Sequence, residues 1–138
     1  MARPYLGGST AGVKDIVSAT SLSIADSGKS IMLNHATGIA VTLPDPTKCK
    51  GFEIKVIVKI APTSGNHTVA TTVGAIKGSI SAGAADDVAD TSSGSNTRIN
   101  FVASNAVVGD YVKLLSDGAN YYIVGGLGKV AAGITIDG

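Results

Sequence analysis

Few residues in this 138-residue chain combine the type and spacing that chemistry requires. The nearest approach to a motif is Gly28-Lys29-Ser30, which matches the end of a phosphate-binding loop, G-x-x-x-x-G-K-[ST]. Such a loop works by aiming free backbone N–H groups at phosphate oxygens at the mouth of a helix. Its first glycine belongs at position 23, where this chain has Ser23, and no long helical pattern follows. The stretch reads instead as turn chemistry. Asp26-Ser27-Gly28-Lys29 lies between Leu22-Ser23-Ile24-Ala25 and Ile31-Met32-Leu33, which predicts a hairpin. His35 and His67 are the only histidines, far apart and without carboxylates at ligand spacing. Asp86, Asp87 and Asp90 invite a calcium reading. They lack the glycine and closing glutamate of an EF-hand loop, so a solvated loop without metal is expected.

Nucleophiles fare no better. Cys49 sits between Lys48 and Lys50, and neighbouring ammonium groups lower a thiol's pKa, but no base accompanies it. As a lone cysteine it forms no intrachain disulfide and reads as a spare loop residue. The Gly-x-Ser-x-Gly frame of a nucleophile elbow is absent, and the carboxylates are scattered through turns. Asn66-His67-Thr68 is a glycosylation acceptor only in a secreted protein. There is no tryptophan to form a sugar platform, and Tyr111, Tyr121 and Tyr122 read as cross-strand packing partners. No catalytic residue, cofactor or metal is expected, and the chain does not read as an enzyme.

The elements that carry these residues are strands. Phe52, Ile54, Val56, Val58 and Ile60 fall at every second position, with Glu53, Lys55 and Lys59 in the other phase. Side chains alternate across a strand, so one face is apolar and the other charged. Ile57 alone breaks the charged face, which implies that this face is partly covered as well. A second run, Ile39 to Leu43, precedes it across Pro44-Asp45-Pro46, a stretch that neither helix nor central strand accepts. Further short strands are predicted at 67–73, 76–80 and 98–104. Residues 81–97 lose all periodicity and read as an exposed loop. Tyr111 to Leu115 and Tyr121 to Val124, joined through Asp117-Gly118, form a strongly signalled hairpin, and Ile134-Thr135-Ile136 a last strand. The fold class that follows is all-β, an antiparallel β-sandwich or β-barrel with a flexible N-terminal arm and little helix.

Two domain-level features remain. Residues 1–12 read as an extended arm ahead of a single β domain at 13–138. Arg3, Pro4, Tyr5 and Leu6 are able to anchor it, followed by a hinge with Gly7, Gly8 and Gly12; the alternative is an ordinary frayed terminus. Ordering such an arm costs more backbone entropy than burying Tyr5 and Leu6 returns, so it would act through several copies together. Composition agrees with assembly: 44% of residues are apolar and only 15% charged, against about a quarter in ordinary domains. A homo-oligomer is expected. The net charge of +1 gives no footprint for nucleic acid or an anionic membrane, and no apolar run is long enough to span a bilayer. A soluble protein made in a cytoplasm is the expectation.

Several stretches together resemble small virion structural proteins of marine tailed bacteriophages, cyanophages especially. They are Arg3-Pro4-Tyr5-Leu6-Gly7-Gly8, Ala25-Asp26-Ser27-Gly28-Lys29, Val41-Thr42-Leu43-Pro44, and Gly51-Phe52 leading into Ile54 to Val58. Asn100 to Ser104, Gly109-Asp110-Tyr111 and Asp117 to Tyr122 are similar to segments common there, with Tyr121 where related chains carry tryptophan. The resemblance implies a capsid decoration (cement) protein on the outer capsid surface of the virion, made in the host cytoplasm. It implies a homotrimer whose partner is the major capsid protein, with no nucleic acid and no membrane. A tail- or head-fibre component contacting the host surface is the alternative.

Overall fold

The structure is a computed structural model that describes residues 12–83, 88–91 and 94–138, with 88–91 described in backbone only. It is all-β. From Val13 to Ala70 the chain shuttles between two sheets. Strand β1 (Val13–Ile16) lies in the larger sheet and β2 (Thr20–Ser21) in the smaller. The larger then takes β3 (Ser30–Leu33) and β5 (Glu53–Val58), and the smaller β4 (Ala40–Thr42) and β6 (His67–Ala70). Strands returning to the same sheet after a visit to the other run in the same direction. Thus β1–β3–β5 and β2–β4–β6 are both parallel.

The rest of the chain closes the sheets. Strands β7 (Ile76–Lys77), β8 (Ser79–Ala82), β9 (Val88–Thr91), β11 (Tyr111–Ser116) and β12 (Tyr121–Gly128) join the larger sheet. Its main order is β1-β3-β5-β11-β12-β8-β9, with β7 also on β12. Strands β10 (Arg98–Phe101) and β13 (Ile134–Asp137) complete the smaller sheet, order β13-β10-β6-β4-β2. β9 runs beside β13, so the two layers meet along that side.

One core fills the space between the layers. The smaller sheet contributes a β-branched ladder, Val41–Val69–Ile99–Ile136, matched strand to strand by register. The larger contributes Ile31–Val56–Val112 and Ile54–Leu114. Gly126 follows Val112 in its row, and a Cβ there would lie 3.3 Å from Ile80, whose side chain occupies the space. Tyr121 is wholly buried, edge-on to Phe52 with ring centroids 6.2 Å apart, and its hydroxyl donates to the Pro44 carbonyl at 2.6 Å.

Three expectations need correction. The pairing is mixed, not antiparallel, because the first half of the chain coils between layers. Asp26–Lys29 does not close a hairpin. Ile24–Asp26 forms a 3₁₀ turn that delivers the chain from the smaller sheet into β3, which pairs with β1 and β5. Residues 81–97 are not loop throughout: β8 extends to Ala82 and β9 pairs antiparallel with it. The β9 sequence, Val88-Ala89-Asp90-Thr91, has one large apolar side chain, which hid that strand from any periodicity reading. The terminal hairpin stands as expected, with a bulge between Lys113 and Leu114. β5 ends at Val58, two residues before the alternation does, because the amides of Lys59 and Ile60 both turn to the Leu33 carbonyl and leave Ile60 exposed.

Candidate partner-binding face

Several of the residues singled out for chemistry are used to hold the fold. The Gly28, Lys29 and Ser30 amides donate to the carbonyls of Glu53, Asp26 and Gly12. None of the three is left to cradle a phosphate, which closes the phosphate-loop reading. Asp26 is buried and accepts from the Ser23 amide at 2.9 Å, from Lys29 at 3.1 Å and from Lys14 at 3.1 Å. Burial alone would raise its pKa, but these donors outweigh burial and hold it below the ordinary carboxylate value.

His35 is exposed, with Nδ1 2.8 Å from the Thr37 hydroxyl. His67 is fully buried in the row His67–Phe101–Ile134, with Nε2 2.9 Å from the Ile60 carbonyl. A carbonyl only accepts, so Nε2 carries the proton and Nδ1 the lone pair. Nδ1 has no partner, and burial pushes this imidazole's pKa down. Cys49 is not a spare loop thiol: it is buried after the 3₁₀ turn Pro46–Lys48, donates to the Asp45 carbonyl at 3.1 Å and lies 3.6 Å from the Tyr121 hydroxyl. Burial, then this thiol, drive the Tyr121 phenol's pKa far upward. Asp117 caps the hairpin loop by accepting from the amides of Ala119 and Asn120, both at 2.8 Å, which lowers its pKa.

Among the described residues no three His, Cys, Asp or Glu side chains gather as a metal site, and no helix is long and apolar enough to cross a membrane. Asp86 and Asp87 lie outside the described residues, and Asp90 is placed on β9 in backbone alone. Arg3, Pro4, Tyr5 and Leu6 also lie outside them; the description begins at Gly12, which leads into β1 at the edge of the larger sheet.

The accessible chemistry lies instead on the outward face of the larger sheet, where register sets side chains in three rows. A basic row runs Ser30–Lys55–Lys113 and ends at Gly125. An apolar row runs Met32–Ile57–Tyr111–Leu127. A mixed row runs Glu53–Leu115–Tyr122–Lys77. Gly28, Lys29, Ser30, Glu53, Ile54, Lys55 and Lys113 line a shallow groove of about 230 Å³ along the basic row. Lys29 is committed to Asp26, and Lys113 reaches Glu53 only at 3.5 Å, both side chains being nearly half exposed. The Lys55 ammonium lies 4.6 Å from the centre of the Tyr111 ring, with no carboxylate in ion-pair reach among the described residues.

The other outward face is different. The smaller sheet carries the rows Ala40–Thr68–Asn100–Thr135 and Thr42–Ala70–Arg98–Asp137, mostly small side chains, with Asn100 itself buried. Asn100 donates to Thr135 at 3.1 Å and to Asp137 at 2.9 Å, and Arg98 to Asp137 at 2.8 Å. Ile57 was the sequence signal for the richer face. Met32 and Leu127 could not be added to its row without the register. No protein-family model matches the chain, and searches of curated proteins and of solved structures find no match either.

Proposed function

We propose that this protein is a non-enzymatic structural component of a tailed-phage particle, a decoration protein that sits as a homotrimer on the outer surface of the head and stabilises it. The observation that carries this reading is where the free chemistry lies. Asp26, Cys49, His67 and Tyr121 are engaged in turns and core, while a broad sheet face offers a lysine without an ion pair among the described residues and a continuous apolar row. Open sheet faces suit protein contacts rather than enclosure of a small substrate.

The resemblance supplies the kind of particle, and its motifs fall where the chain turns or enters a strand. Thr42-Leu43-Pro44 ends β4, Gly51-Phe52 opens β5, Gly109-Asp110-Tyr111 opens β11, and Asp117–Tyr122 turns the last hairpin. The arm residues Arg3, Pro4, Tyr5 and Leu6 would add an extended contact to the major capsid protein, anchored through β1.

The test is binding of the purified protein to undecorated capsids, with and without residues 2–8. The reading expects saturation at a fixed stoichiometry over the whole head, trimers by light scattering, and weaker binding after truncation. A clean monomer that labels only tails or fibres would overturn it in favour of a fibre component.

A further inference from the structure

The three rows on the larger sheet also specify what they would hold. Outward positions two apart on a strand are about 6.6–6.8 Å apart. An extended segment lying along β5 and β11 presents its own facing residues at the same interval. One such residue stands over Lys55 and Lys113, and the next over Ile57 and Tyr111, which are directly paired across the strands. We propose that this face docks an extended protein segment of the pattern acidic-x-apolar. Its carboxylate sits between Lys55 and Lys113, and its apolar side chain sits on the Met32–Ile57–Tyr111–Leu127 row.

Charge and availability favour this occupant over a polyanion. Lys55 lies over the Tyr111 ring and forms no ion pair among the described residues, so a carboxylate arriving there displaces none. Lys113 is held loosely by Glu53 at 3.5 Å and can turn to a second carboxylate. Glu53 lines the groove and repels a continuous run of phosphates more than a single carboxylate set over the lysines, and the described rows contain no arginine, the side chain best shaped for phosphate. The apolar row lies immediately beside the lysines, and an isolated anion or a nucleic-acid backbone would leave it uncovered. The Gly28, Lys29 and Ser30 amides are spent on carbonyls, so the groove grips by side-chain charge.

This inference deepens the capsid reading by naming the partner's chemistry, and it rests on that reading only for which protein presents the segment. The experiment is an amide NMR titration of the full chain with a capped peptide, Glu-Ser-Leu-Ser-Glu-Ser-Leu. Controls are the same peptide with lysine for glutamate and a 12-base-pair DNA duplex. The expected result is selective movement of the amides at 53–57 and 111–115, with a dissociation constant of about millimolar, since a free peptide must be ordered on binding. The double variant Lys55→Glu/Lys113→Glu should weaken binding about tenfold or more. The variant Ile57→Ser should weaken it about threefold or more through the lost apolar contact. Silence at this face, an equal response to the lysine peptide, or stronger movement of the same amides by DNA would overturn the proposal. So would a charge-reversed variant that folds and binds the peptide as the parent does.

Capsid binding by the same proteins separates the two ideas. If the parent binds the peptide but no capsid, the face stands and the capsid reading falls. If the charge-reversed variant coats capsids as well as the parent, the capsid reading stands and this face is not its contact.

Discussion

Between Val13 and Ala70 the chain changes sheet with every strand, and within each sheet the strands so placed are parallel. Between Arg98 and Asp137 it makes a local hairpin, β11–β12, and pairs β10 with β13 antiparallel. Both regions use period-two alternation and Asp/Gly-containing turns. At Asp117–Asn120 the turn returns the chain to the same sheet, whereas Ile24–Asp26 and the residues after it pass the chain to the other sheet. Turn chemistry therefore fixes that the chain reverses, and the layer entered by the next strand is decided by partners far away in sequence.

The largest effects should come from matched core truncations, one in each region. Leu33 and Leu114 are both fully buried, so Leu33→Ala and Leu114→Ala should each cost about 2–5 kcal/mol in denaturant unfolding. Their kinetics should differ. Hairpin contacts are local and form early, so Leu114→Ala should mainly slow folding, and Leu33→Ala should mainly speed unfolding. Refolding slowed chiefly by Leu33→Ala would place the folding nucleus in the coiled region.

Next is the anchor of the coil's turn. Asp26→Ala removes an acceptor of three donors and should cost about 2 kcal/mol, less than a wholly buried pair because both lysines can swing into solvent. The folded pKa is lowered, so this stabilisation is present above the ordinary value of 3.8 and is lost as pH falls through the lower folded value. Acid unfolding of the parent that tracks the variant's curve at every pH would contradict it.

Smaller still is the turn glycine comparison. Gly28 and Gly118 have φ of +84° and +97°, and a Cβ at Gly28 meets nothing within 4 Å while one at Gly118 touches only Lys50 at 3.4 Å. Alanine at either should cost about 1–2 kcal/mol, the backbone penalty alone. A much larger loss at Gly28 would mean that the inter-sheet turn is the more tightly built of the two.

The smallest effect at neutral pH concerns His67. Its folded pKa lies below the ordinary 6.5, so the unfolded chain takes up the proton first. Stability should fall as pH drops below about 6.5 and continue falling to the folded value, with a slope of at most ~1.4 kcal/mol per pH unit. His67→Gln keeps a donor for Ile60 and removes the titration, so it should flatten that slope. An unchanged slope would assign it to other groups.

How far the sequence could be read follows from the same contrast. The terminal hairpin, the alternation of β5 and the all-β class were legible because they rest on neighbours within a few residues. The parallel coil was not, since Ile16, Leu33 and Val58 come together only when all three strands are placed. β9 was missed because its side chains carry no apolar period. Of the candidate face, Ile57 and Lys55 were visible as an anomaly and a charge, while Met32, Tyr111 and Leu127 required the register of four strands.

Whether this domain coats a particle, and by which face, is the central question. Electron cryo-microscopy of intact particles decides both, because it counts copies and orients the sheets. The expected result is many trimeric copies spread over the head lattice, with the Lys55–Lys113 face of the larger sheet turned to the shell. Density confined to the tail would contradict the decoration role, and the Asn100–Thr135 face turned to the shell would contradict the docking face.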